Sequence, residues 1–326
     1  MDPLSTVARP SVLMGDPTHF HIAGGSNPFT RTWWGRKKNV DLAKAIDQWH
    51  ELAKLLTSFG IDVYVLPPDE RRPGLVYPAN YGVRLGDQFV LSNLLPTRAR
   101  ERPVYEAFLK NLGLKTVSIR HRFEGEAEFF PAGSRYIFTY GAVKPQKFVP
   151  KLAIPPWTRV YGFRTERHAM DELKTFLPAG TEIVDFELIE ESHYHGDTVF
   201  CSYGKSREHV IVYPDGLAPE SRERCRHIFK DRLIELSSWD AFHYAANSFQ
   251  ALTPEGVKLI MPEGISGELL DNVRQRHVEP VTIDVSEFLK KGGGAVKCMI
   301  GDLGRLPEAK TKEGKEFRKK NLFTSS

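Results

Sequence analysis

A hairpin, helix and strand recur five times along the chain, and no other feature constrains its fold as much. In the clearest copy, Tyr81-Gly82-Val83-Arg84-Leu85 and Gln88-Phe89-Val90-Leu91 flank a Gly86-Asp87 turn. Similar paired apolar runs occupy residues 128–130 with 136–140, 198–203 with 209–213, and 249–252 with 257–261. Each pair is followed by a helical pattern and then an alternating strand: 99–112 then 115–119, 165–177 then 182–188, 219–230 then 233–236, 266–277 then 281–285. The fifth copy is split between the chain ends. Residues 295–300 are expected beside 11–15, with helix 42–59 and strand 61–65 completing the unit. Closure of this kind hides sheet edges and fits a ring better than a doubly wound sheet. The expected fold is therefore an α/β five-bladed propeller in one domain over residues 1–306. Residues 307–326, rich in Lys and Glu, read as a flexible charged C-terminal tail.

Composition narrows the function. The 326 residues are 41% hydrophobic and 26% charged, with a formal charge of +4 and the basic residues dispersed among acidic ones, which argues against a nucleic-acid partner. No run approaches 18 apolar residues, so no membrane span is expected. Met1 to Pro10 has neither the basic nor the apolar region of a secretory leader. Cys201, Cys225 and Cys298 are odd in number and far apart, which favours free thiols in a reducing, cytoplasmic setting.

One of these thiols stands out. Cys298 follows Gly292-Gly293-Gly294-Ala295-Val296-Lys297, a run that permits a tight turn or close approach to a ligand. A lone cysteine is more often a small buried residue, but this one has polar company. Asn80 in Ala79-Asn80-Tyr81-Gly82, Glu124 in Phe123-Glu124-Gly125, and His195 with Asp197 in His195-Gly196-Asp197 each stand just before a predicted hairpin. In a ring, those positions converge on the axis. His193 would share a face with His195 on a strand but lacks the x-Asp that follows it. Metal binding by His193, His195 and Asp197 finds no convincing fourth ligand, so no metal and no cofactor is expected.

In this order, Asn27-Pro28, Asn80, Phe123-Glu124-Gly125, His195-Gly196-Asp197 and Gly292 to Cys298 resemble the catalytic set of the pentein superfamily of guanidine-modifying enzymes. The Ala-Asn-x-Gly segment and the Ala-x-Lys-Cys ending are most similar to the dimethylargininase and arginine dihydrolase branch. The resemblance implies a small guanidino substrate such as arginine or a methylated arginine. It also implies Cys298 as nucleophile, His195 as acid and then base, and Asn27 within the substrate site, with Arg98 and Arg164 gripping a substrate carboxylate. The chemistry agrees: a guanidinium needs a strong nucleophile, and Glu124 and Asp197 can fix its plane through charge-assisted hydrogen bonds while Asn80 offers an amide oxygen. The implied activity is hydrolysis through a covalent amidino-thioether. Transfer of the amidino group to a second amine is the alternative, since it shares that intermediate. The chain departs from the branch at Glu128, where Asp is usual, at Phe29, at the Trp33-to-Lys38 stretch, and in an apparent insertion at 141–160.

Overall fold

The computed structural model describes residues 9–23, 27–30, 32, 36–144, 147–149 and 158–324. Trp33, Trp34 and Gly35, and residues 145–146 and 150–157 of the expected insertion, lie outside them. From the N-terminus, β1 (Pro10–Gly15), α1 (Leu42–Ser58) and β2 (Asp62–Leu66) form a parallel βαβ unit. Helix α1 buries Ala45, Trp49, Leu52, Ala53 and Leu56 along one face, and the Asp41 side chain caps it by accepting from the Lys44 N–H at 3.1 Å. The next blade comprises β3 (Gly82–Leu85), β4 (Gln88–Leu91), α2 (Arg102–Asn111) and β5 (Lys115–Ser118). In it β3 runs antiparallel to β4, and β4 parallel to β5.

That topology repeats. The third blade holds β6 (Phe129–Ala132) and β7 (Arg135–Tyr140), an inserted ribbon of β8 (Lys147–Val149) with β9 (Thr158–Val160), then α3 (Ala169–Lys174) and β10 (Glu182–Glu187). The fourth holds β11 (Phe200–Tyr203), β12 (His209–Val212), α4 (Pro219–Phe229) and β13 (Leu233–Glu235). After the short α5 (Ser238–Phe242), the fifth holds β14 (Phe249–Thr253), β15 (Gly256–Pro262), α6 (Gly267–Arg274) and β16 (Val278–Ile283). Strand β17 (Gly301–Arg305) then pairs antiparallel with β1 and closes the ring as the first strand of the unit that begins the chain. The five sheets thus form an α/β propeller with the pseudo-fivefold order expected from the sequence.

Two expectations need correction. The closing strand is residues 301–305, because 297–299 form a 3₁₀ turn that carries Cys298 ahead of the strand. The segment expected to be a flexible tail instead contains α7 (Lys312–Asn321), capped by Thr311. Its few apolar residues anchor it: Phe317 stacks edge-on against Phe108 with centroids 5.1 Å apart, and Phe323 does so against Trp49 at 5.7 Å. The Phe323 N–H donates to the Val63 carbonyl at 2.8 Å, and Leu322 bridges to Tyr64. Average composition hid these contacts because the helix surface is so heavily charged. Among the described residues, no helix is long and apolar enough to cross a membrane.

Candidate active site

The first strands of the five sheets line the axis, and four of them are preceded by a 3₁₀ turn. Pro78–Tyr81 precedes β3, Gly125–Ala127 precedes β6, Gly196–Thr198 precedes β11, and Lys297–Met299 precedes β17. Such a turn aims one side chain inward at the blade entrance. Asn80 and Cys298 lie on theirs, Glu124 and His195 stand immediately before theirs, and Asp197 is inside the turn that His195 opens. All five are at most 3% exposed.

A cavity of about 380 Å³ gathers seven of the eight residues expected from the sequence: Asn27, Asn80, Arg98, Glu124, Arg164, His195 and Cys298. Asp197 stands apart. It lines a smaller cavity of about 220 Å³ farther along the axis and meets the main site through sulfur, where the Cys298 thiol donates to its Oδ2 at 3.4 Å.

Glu124 and His195 form a dyad, with Nε2 and Oε2 2.8 Å apart. Burial alone would raise the Glu124 carboxyl, but the hydrogen bond and charge of His195, followed by the guanidinium groups of Arg98 and Arg164, hold it down at about 2. The Cys298 thiol is pushed well up by burial and then by the charge of Asp197, and burial also raises Asp197. Among the described residues, four buried polar atoms here have no partner: Asn80 Nδ2, Glu124 Oε1, His195 Nδ1 and Asp197 Oδ1. Orphaned groups are rare in protein interiors, and a cluster of them marks where a polar ligand belongs.

The two arginines expected to grip a carboxylate are already engaged. Arg98 spans Glu101, with Nε 3.1 Å from both carboxylate oxygens and Nη2 2.7 Å from Oε2, while Nη1 donates to Asn80 Oδ1 at 2.7 Å. Arg164 donates to the Tyr161 and Gly162 carbonyls at 3.1 and 2.9 Å and lies over the Tyr194 ring. The cavity's outer lining instead carries Arg71, Arg72 and Arg100, which no motif distinguished.

The glycine run is held from the opposite wall. Asn27 Nδ2 donates to the Gly292 carbonyl at 2.9 Å, and Tyr194 Oη donates to the Gly293 carbonyl at 3.1 Å. Gly293 adopts φ +80°, and a Cβ there would sit 2.5 Å from Asn27 Nδ2, so both the turn and the close packing require glycine. Glu128 serves the fold of the site rather than its cavity: Oε2 accepts from the Gly196 N–H at 3.0 Å and from Thr139 Oγ1, which fixes the turn after His195.

Sequence reading missed Asn247, the entrance residue of the fifth blade. It is fully buried and bonded to Cys298 through both backbone and sulfur. A signal was present: Ala246-Asn247 stands two residues before β14, as Ala79-Asn80 stands two before β3. Among the described residues, no group of three His, Cys, Asp or Glu is placed to hold a metal ion.

The model of the family described as N,N dimethylarginine dimethylhydrolase, eukaryotic, matches residues 16–140 and 159–305. The N(G),N(G)-dimethylarginine dimethylaminohydrolase of Mycobacterium tuberculosis is 29% identical over 287 residues, covering 87% of this chain and 83% of its own. The bifunctional arginine dihydrolase/ornithine cyclodeaminase ArgZ of Synechocystis is 26% identical over 88% of this chain, which spans 37% of that longer protein. Among solved structures, the substrate-bound N-terminal domain of ArgZ, an arginine dihydrolase, matches with TM-score 0.76 and 23% identity, covering 90% of this chain and 98% of that one. A dimethylarginine dimethylaminohydrolase adduct with S-methyl-L-thiocitrulline matches with TM-score 0.65 and 17% identity, covering 90% of this chain and 100% of that one. Both share the fold.

Proposed function

The chain belongs to the N,N-dimethylarginine dimethylhydrolase family, and from that premise we propose the residues by which it works as a cysteine-dependent guanidino hydrolase. The observation that carries the assignment is the cluster of orphaned polar atoms beside Cys298. A guanidinium is flat, cationic and rich in N–H donors. Glu124 Oε1 accepts from one of its edges, and Asp197, already at the sulfur, supplies the second negative charge. Asn80 and Asn27 complete the walls. At the outer end, Arg71 and Arg100 face the substrate's carboxylate, because Arg98 and Arg164 are committed within the protein.

In the proposed cycle the Cys298 thiolate adds to the guanidinium carbon. The C–N bond to the departing amine or ammonia breaks as His195 Nδ1 delivers a proton to that nitrogen, leaving an amidino-thioether. His195 then takes a proton from water, the water oxygen bonds to the same carbon, and the C–S bond breaks to return the thiolate and release a urea. Glu124 holds the imidazole through Nε2, which leaves Nδ1 as the atom that carries the proton. We place the enzyme in the cytoplasm, where its three free thiols stay reduced.

Product analysis tests this reading. Wild type and Cys298→Ser are incubated with arginine, methylated arginines and other guanidino acids, with and without glycine as acceptor. A ureido product such as citrulline, or ornithine if both amidine nitrogens are removed, is expected from wild type alone and without acceptor. Product only with acceptor would make the enzyme an amidinotransferase, and full activity in Cys298→Ser would end the covalent mechanism.

A further inference from the structure

The Asn247 side chain makes four hydrogen bonds, and they exhaust the capacity of its amide. Its Oδ1 accepts from the backbone N–H of Ala295 at 3.0 Å and of Cys298 at 3.1 Å. Its Nδ2 donates to the Asp197 carbonyl at 3.1 Å and to Cys298 Sγ at 3.2 Å. One side chain thus fixes the turn that presents the nucleophile and touches the nucleophile itself. Asparagine meets both demands, since two acceptor bonds and two donor bonds are made by the same planar amide. Asn80, its counterpart in the second blade, keeps an unpartnered Nδ2, so the same residue type at corresponding positions serves different ends.

We propose that Asn247 is a further catalytic residue, whose Nδ2–H holds the Cys298 thiolate by a charge-assisted hydrogen bond. The inference rests on Cys298 being the nucleophile. The sulfur has two polar neighbours of opposite effect. Asp197 Oδ2 accepts a hydrogen bond from the thiol, and as a carboxylate it repels the anion that remains once the proton leaves. Asn247 Nδ2 donates weakly to the thiol and strongly to the thiolate, so its bond gains strength as ionisation proceeds. The other titratable groups around the sulfur are Lys297 on its own turn, His195 and Tyr194 ahead of β11, Tyr77 ahead of β3, and Tyr244 after α5. Among these neighbours, Asn247 is the uncharged donor in direct hydrogen-bond contact with Sγ.

The test is the pH dependence of iodoacetamide alkylation at Cys298, read by peptide mass spectrometry, in wild type, Asn247→Asp and Asn247→Ala. Asp retains acceptors for both backbone N–H groups, so it separates pinning the turn from stabilising the anion; Ala removes the donor without adding charge. Both variants should show an alkylation midpoint moved to higher pH. Alkylation at pH 7 should slow at least about tenfold, with kcat falling more than KM rises. Wild-type midpoints in folded Asn247→Asp and Asn247→Ala would overturn the proposal. If Ala fails to fold, Asn247→Leu, near-isosteric, uncharged and without a donor, takes its place, because the carboxylate of Asp would move the midpoint by its own charge. Failure of the underlying reading looks different: Cys298→Ala would then keep its turnover, whatever the Asn247 variants show.

Discussion

Arg98 provides the sharpest test of how the site is built. Its guanidinium reaches both oxygens of Glu101, whose side chain is 6% exposed, and lies 3.9 Å from Glu124 Oε2. At an effective dielectric near 20, two unit charges at that separation interact by about 4 kcal/mol, enough to help keep Glu124 ionised despite burial. Arg98→Met preserves much of the stem and deletes the charge. Glu101 is then left buried without its partner, a defect that costs about 3–5 kcal/mol. For 326 residues the unfolding entropy makes that about 4–8 °C in melting temperature. Asn80 also loses the donor that fixes its Oδ1, and the Glu124–His195 dyad loses a supporting charge, so kcat should fall by about two orders of magnitude. The assay pairs a thermal melt with steady-state kinetics on the substrate found by product analysis. An unchanged melt and kcat, with only KM raised, would refute this argument and return Arg98 to the role of carboxylate clamp that the sequence pattern implied.

Two further substitutions probe the surroundings. Glu126 is buried against Lys297 Nζ at 2.8 Å and the Asp302 N–H at 2.7 Å, and burial still raises its carboxyl to about 7. With the folded value above the ordinary 4.5, its favourable contribution is full below pH 4.5 and is lost as pH rises through 7; the step is worth about 3 kcal/mol at most. Urea melts of Glu126→Gln at pH 5 and pH 8 should therefore differ less than wild-type melts do, and equal pH sensitivity would remove Glu126 as the cause. Gly293→Ala puts a Cβ at φ +80° against Asn27, so it should cost about 1–3 kcal/mol and reduce turnover by displacing the Cys298 turn. Wild-type turnover in that variant would show that the glycine run does not position the thiol.

Much of the ring was legible because each blade advertises itself locally. A Gly86-Asp87 turn between two alternating runs forces an antiparallel pair, and a helix after it forces the third strand to return parallel. What local pattern could not supply was the exact start of the closing strand. Ala295 to Ile300 is as apolar as a strand, yet Asn247 captures two of its N–H groups and bends it into the turn that holds Cys298. The site residues were legible as residue types ahead of hairpins, and their division of labour was not. Pattern alone pointed to Arg98 as a ligand clamp, and its ion pair with Glu101, three residues on, was not legible. Asn247 went unnoticed because its bonds to the Cys298 turn join residues 51 apart in sequence and appear only in the fold. Helix α7 was masked because Phe317, Leu322 and Phe323 are diluted among lysines, and only their fit against Phe108, Tyr64 and Trp49 gives them meaning.

The electrostatics of the site tie reactivity to the substrate's own charge. Before substrate binds, burial and Asp197 keep the Cys298 proton in place, while Glu124 is already ionised and matched by His195, Arg98 and Arg164. A guanidinium arriving about 4 Å from sulfur adds a positive charge worth about 4 kcal/mol toward the thiolate at an effective dielectric near 20, about three pH units of acidity. The charge that Asp197 opposes in the free enzyme is then balanced, and the Asn247 bond strengthens in the same step. A neutral ureido group at the same place would lack that charge, so it would not draw the proton from Cys298 as a guanidinium does.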